Sequence, residues 1–211
     1  MRSERKNLTC TSCGKEFSAR IITQVDESRP EDREANLTDG SLFTFRCPHC
    51  EAEQYVNHYL LWVDQNRTVA VCNLTCEEEI RAMEEALSAL TAFGKSSDLR
   101  RRYVSSPANL CEKTEIFKAG LDDRVVEIIK LYFSQDVRRK YPDKTLNNVL
   151  FFPEGDGYGF LFQCPEGDLS VSLPKSTFEQ ASAQFKFPEP SPAVVDASWA
   201  MEYLLGDMKQ C

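Results

Sequence analysis

Two cysteine pairs, Cys10-Thr11-Ser12-Cys13 and Cys47-Pro48-His49-Cys50, carry the most specific chemistry in this 211-residue sequence. Two residues between the thiols let a short turn aim both sulfurs at one point. Two such turns supply four sulfurs, the closed tetrahedral donor set of structural zinc. One Cys-x-x-Cys unit is a weak sign, whereas two units separated by a span are a strong one. The span here holds 33 residues, more than a minimal ribbon needs, so it is expected to carry structure of its own. Closing a flexible span of that length costs about 3 kcal/mol, while structural zinc returns about 10–16 kcal/mol of apparent binding energy. The metal outweighs the loop. The expected site is therefore Cys10, Cys13, Cys47 and Cys50 around one zinc.

Competing uses of the same thiols are weaker. Iron is the less favoured metal: Cys-x-x-Cys-Gly with Cys-Pro-x-Cys also opens rubredoxin-type sites, and tetrahedral sulfur suits both ions. A redox dithiol needs one pair beside a βαβ unit, and no such unit is legible around these pairs. Four unliganded core thiols would not fall into paired spacing. Gly14 can take the left-handed conformation that turns amides towards sulfur, and Pro48 fixes a turn dihedral. Glu51 stands where a second glycine is expected. Cys72 and Cys76 offer two further sulfurs, read here as a strand-end thiol and a first-turn helix thiol; an exposed Cys76 would be the best redox candidate.

The elements that position the knuckles follow from periodicity. Phe17, Ala19, Ile21, Thr23 and Val25 alternate as a half-buried strand. Pro30 to Gly40 reads as a short helix, and Ser41 to Arg46 as a strand entering the second knuckle. Gln54 to Val63 and Thr68 to Val71 read as strands joined by a hairpin across Asp64-Gln65-Asn66-Arg67. The first half is thus expected to be an antiparallel sheet with a metal-bound ribbon at one end.

Thr75-Cys76-Glu77-Glu78 is a capping box, followed by a narrow seam of Ile80, Met83, Leu87 and Leu90. That seam either covers the chain's own sheet or pairs with a second copy. Gly94 to Ser97 reads as a hinge, and Arg100 to Val104 as a short strand whose three arginines suit contact with phosphate and a solvated sheet edge equally well. Ser106-Pro107 opens a second helix that Gly120 closes. Asp122 and Asp123 begin a third, where the dipole favours acids, and Arg138, Arg139 and Lys140 end it. From Leu150 a three-stranded meander with Gly-rich turns follows. Then come a short helix after Ser176, a stiff proline linker over 188–192, and a last helix capped by Asp196. The division expected is 1–140 for the ribbon and helices and 141–211 for the meander and its helices. The fold class is α+β.

Composition excludes several classes. No apolar run reaches membrane-spanning length, and no secretory segment follows the basic start. Nine cysteines without such a segment point to reduced thiols and a cytoplasmic protein. A net charge of −8 argues against a general nucleic-acid binder, although Arg2, Arg5, Lys6, Lys15 and Arg20 make the first 25 residues locally basic. Only two histidines exist. His49 lies in a knuckle and His58 in a strand, so no Ser-His or Cys-His arrangement suggests nucleophilic catalysis.

Cys10-Thr11-Ser12-Cys13-Gly14, Cys47-Pro48-His49-Cys50, Glu112-Lys113 and Ile116-Phe117-Lys118-Ala119-Gly120-Leu121-Asp122-Asp123-Arg124 together resemble the bacterial CpXC domain family. The resemblance runs from about Cys10 to about Tyr132, and the linker with Val195-Asp196 and Trp199-Ala200 resembles the tail of longer members. Thr11 stands where that family usually has proline, and Glu51 where it has glycine. The resemblance implies a metal-binding protein and no particular activity. The expectation is a cytosolic zinc-binding module that acts by binding a protein partner, with a homodimer through the seam as one form. The alternatives are an enzyme with a site between ribbon sheet and helices, and a weak nucleic-acid-binding ribbon.

Overall fold

A computed structural model describes residues 1–32, 37–91 and 99–208. Two compact units divide it, Met1–Cys111 and Glu112–Cys211. The division falls inside the helix over Pro107–Lys118, on the amino-terminal side of the 140/141 boundary read from the sequence.

The first unit is built on a five-stranded sheet of order β1-β2-β5-β6-β7. Its strands are β1 (Arg2–Thr9), β2 (Glu16–Asp26), β5 (Leu60–Asp64), β6 (Val69–Asn73) and β7 (Arg100–Val104). A separate ribbon pairs β3 (Thr44–Arg46) with β4 (Glu53–Tyr55). β5 and β6 are buried at every residue, as expected of central strands covered on both faces. The antiparallel pairing of β5 with β6 across the 64–67 turn, and of β3 with β4 around the second knuckle, is as expected, but the larger sheet is mixed. β2 runs parallel to β5 and β6 runs parallel to β7. Parallel neighbours need a long crossover, and the connection from β2 to β5 is the one that carries the second knuckle.

The other crossover, from β6 to β7, carries helix α1 (Glu79–Thr91). A βαβ unit is therefore present, contrary to the sequence reading, because single-strand patterning does not encode strand direction. Neither Cys-x-x-Cys pair lies on it. Met83 and Leu87 of α1 are buried against Leu61, Val63, Ala70 and Cys72, so this part of the seam covers the chain's own sheet. The side chain of Leu90 and the hinge expected at Gly94 to Ser97 lie outside the described residues. The cap sits one residue later than expected: Glu79, not Glu78, reaches back to Thr75, accepting from its amide at 2.6 Å and its hydroxyl at 2.9 Å.

Four local expectations change, and the first is that the strand read over Gln54 to Val63 is two, β4 and β5, separated by residues 56–59. β1, polar and exposed at every residue but Leu8, was not legible as a strand. Ser41–Phe43 is a 3-10 turn, and only Thr44–Arg46 extends. Of the helix expected over 30–40, Pro30–Asp32 is a 3-10 turn, and residues 33–36 lie outside the description.

The second unit sets a meander, β8 (Asn148–Glu154), β9 (Gly157–Gln163) and β10 (Leu169–Pro174), in the order β10-β9-β8. Helices α2 (Pro107–Lys118), α3 (Asp123–Lys140), α4 (Lys175–Ser182) and α5 (Ala197–Met208) complete the set. Phe151, Phe160, Phe162 and Phe178 share a core with Val125, Val126 and Ile129 of α3. Gly159 has a packing reason, since a Cβ there would lie 2.2 Å from the Phe152 ring. Asp122 caps α3 by accepting from the Arg124 amide at 3.0 Å. Asp196 does the same for Trp199 at 2.9 Å.

Candidate metal centre

Each knuckle is the turn of one antiparallel hairpin, the first between β1 and β2 and the second between β3 and β4. The two turns fold alike. The Cys10 amide donates to Lys15 O and the Gly14 amide to Cys10 O, both at 2.9 Å; the Cys47 amide donates to Ala52 O and the Glu51 amide to Cys47 O, also at 2.9 Å. Gly14 has φ 72° and Glu51 φ 62°. Glu51 thus takes the left-handed backbone that favours glycine, at a cost of about 1–2 kcal/mol for a residue with a Cβ. Its carboxylate meets Arg46 at 2.7 Å on the surface.

The turns bring all four sulfurs together. Sγ of Cys10 is 3.5 Å from Sγ of Cys50, and that of Cys13 is 3.8 Å from Cys47. All four ligand atoms lie within 4.8 Å of one another. A metal–sulfur bond of about 2.3 Å in a tetrahedron places its sulfurs about 3.8 Å apart, so the donor set fits one tetrahedral ion, and sulfur-rich tetrahedra suit zinc or iron. Cys10 and Cys47 are buried, while Cys13 and Cys50 face solvent. The Cys13 amide, the strongest influence on Cys10, lowers its thiol to about 6. At Cys50 the Ala52 amide acts downwards, but the sulfurs of Cys10 and Cys13 outweigh it and push the thiol up to about 12. Four crowded sulfurs resist carrying four negative charges by themselves, and a bound cation removes that resistance.

The family described as CpXC protein matches residues 8–130. The chain belongs to the CpXC family. No curated protein and no solved structure matches it. The matched segment of this CpXC protein includes both knuckles and the five-stranded sheet from Leu8 onwards, and it ends within α3.

Other candidate residues fall elsewhere. Among the described residues the four-sulfur group is the only metal-capable cluster of its kind, so Cys72 and Cys76 do not form a second one. Cys72 is buried, and burial pushes its thiol up to about 12. Cys76 is exposed just ahead of α1. His58 is packed: its Nε2 faces Leu42 O at 3.0 Å and its Nδ1 faces Tyr59 O at 2.8 Å. β7 is an edge strand as expected, yet Arg102 is buried, with Nη1 donating to Arg101 O at 2.9 Å.

The sequence reading also missed an ionic cluster in the second unit. Lys113 pairs with Asp123 at 3.2 Å and Glu127 at 2.9 Å, while Lys130 pairs with Glu112 at 2.9 Å and Glu127 at 3.2 Å. All five residues are buried. Asp123, read as a helix-end acid, spends its charge here, and only Asp122 caps. The signal available was the apolar face of α3 interrupted by Glu127 and Lys130, three residues apart.

Proposed function

We propose that Cys10, Cys13, Cys47 and Cys50, as thiolates, hold one zinc ion, and that the first unit is a zinc-held binding module. The clustering of four sulfurs within 4.8 Å carries this reading. Four sulfurs close the tetrahedron and leave no position for water or substrate, so the ion supplies folding energy rather than Lewis-acid catalysis. Zinc is preferred to iron because closed four-cysteine ribbons are its commonest structural use. Thiolates need a reducing compartment, which fits a cytoplasmic protein; among the described residues no helix is long and apolar enough to cross a membrane. The excess of acids in this chain of net charge −8 favours a protein partner over nucleic acid.

Elemental analysis of the purified chain is expected to give about one zinc per molecule. Cobalt(II) exchanged into the site should show the intense visible absorption of tetrahedral sulfur ligation. Protein that comes without metal, or with an iron chromophore, would overturn the zinc reading.

A further inference from the structure

The four sulfurs sit on two separate hairpins, and side chains besides the cysteines also bridge those hairpins. Gln54, on β4 just beyond the second knuckle, reaches the first one. Its Oε1 accepts from the Thr11 amide at 3.0 Å, and its Nε2 donates to Thr9 O at 3.3 Å. Thr9 and Thr11 flank Cys10. In the reverse direction His49, inside the second knuckle, points Nε2 at Glu16 O, 3.3 Å away, at the start of β2. A carbonyl oxygen only accepts, so Nε2 is the protonated nitrogen. The Gln54 amide is oriented in the same way, since its alternative placement would set donor against donor at Thr11 and acceptor against acceptor at Thr9.

We propose that Gln54 and His49 are positioning residues that govern how long the site retains its ion. The proposal rests on the metal reading above. An ion leaves a four-sulfur site by losing one sulfur at a time. A detached sulfur rebinds quickly while its hairpin stays within bonding distance, because its effective concentration there is high. The cysteines of one hairpin separate from those of the other only when the hairpins part, and these three hydrogen bonds oppose that motion. Gln54 grips the backbone on both sides of Cys10, so it restrains the ligand whose sulfur is most deeply set of the first pair. Partners of this outer kind change metal affinity by about 10–100-fold when removed.

The test uses the full chain loaded with zinc and follows release to the chelator 4-(2-pyridylazo)resorcinol, at a temperature where Trp62 fluorescence shows every variant folded. Gln54→Met, similar in length but unable to hydrogen-bond, is expected to release zinc about tenfold faster than wild type. His49→Ala should release it several-fold faster, and His49→Gln, which keeps a donor, should restore most of the retention. Cobalt spectra of all variants should match wild type, because the ligand set is intact. Release from Gln54→Met and His49→Ala within about twofold of wild type would overturn the retention role while leaving the metal reading in place. Wild type that binds no zinc would overturn both. Should Gln54→Met fail to fold, the His49→Ala and His49→Gln pair makes the same decision.

Discussion

The ammonium of Lys130 lies 2.9 and 3.0 Å from the two carboxylate oxygens of Glu112, with both side chains almost wholly withdrawn from solvent. Glu112 Oε1 also accepts from the Phe151 amide at 2.6 Å. One carboxylate therefore joins α2, α3 and β8. Three acids and two ammonium groups share the cluster, a costly arrangement unless every member is paired.

Removing one partner should show that cost. Lys130→Met is expected to destabilise the second unit by about 3–5 kcal/mol, because Glu112 and Glu127 lose a buried counter-charge. Adding Glu112→Gln should recover part of the loss, since a glutamine still accepts from Phe151. Urea unfolding followed through Trp199, in a Trp62→Phe background, measures both steps. Strictly additive losses would mean that the two residues are not energetically coupled.

Acid should act on the same cluster with a definite sign. Burial, the largest influence, raises the Glu112 carboxyl above its ordinary value against the pull of Lys130. Lys113, Asp123, Glu127 and Lys130 surround it from α2 and α3, with the Phe151 amide from β8. A carboxyl raised on folding binds its proton more tightly in the folded state. The stability owed to Glu112 therefore increases as pH falls through that raised value towards the unfolded value of about 4.3. Glu112→Gln does not titrate, so its cost should be larger at about pH 5 than at about pH 8. A cost that shrinks on acidification would reverse the assignment.

Loss of a metal ligand should be confined to one unit. Cys47→Ser is expected to unfold the first unit, because binding and folding are coupled at a closed zinc site, and excess chelator should do the same to wild type. Cys164→Ser, a small change at the end of β9 in the other unit, should cost about 1–2 kcal/mol. Trp62 and Trp199, one in each unit, separate the two responses by fluorescence. Wild-type melting in both variants would show that the ion does not hold the fold.

What the sequence made legible were features encoded by near neighbours. The four cysteines, the hairpin over 64–67, the meander turns and the caps at Ser106, Asp122 and Asp196 all depend on residues a few positions apart. Strand direction does not: nothing near Val25 states that Trp62 will run parallel to it. β1 was hidden because a polar edge strand shows no apolar alternation. The ionic cluster was hidden because Glu127 and Lys130 resemble an ordinary i,i+3 surface pair until the fold buries them. Gln54 and His49 have no local signal at all, since their partners are more than thirty residues away.

The ribbon of β3 and β4 has only three residues in each strand. Two-stranded pieces are marginal in water even when longer than this. Its persistence is thus borrowed from the sulfur site, from Phe45 packed on the cluster of Phe17 and Ala19, and from the Gln54 and His49 bonds to the other hairpin. When the ion leaves, this ribbon should be the earliest segment to open to hydrogen exchange, well before the buried β5–β6 pair. The ribbon is therefore the place where unfolding of the metal-free first unit should begin, with the sheet following, and metal occupancy sets how often that first step is taken.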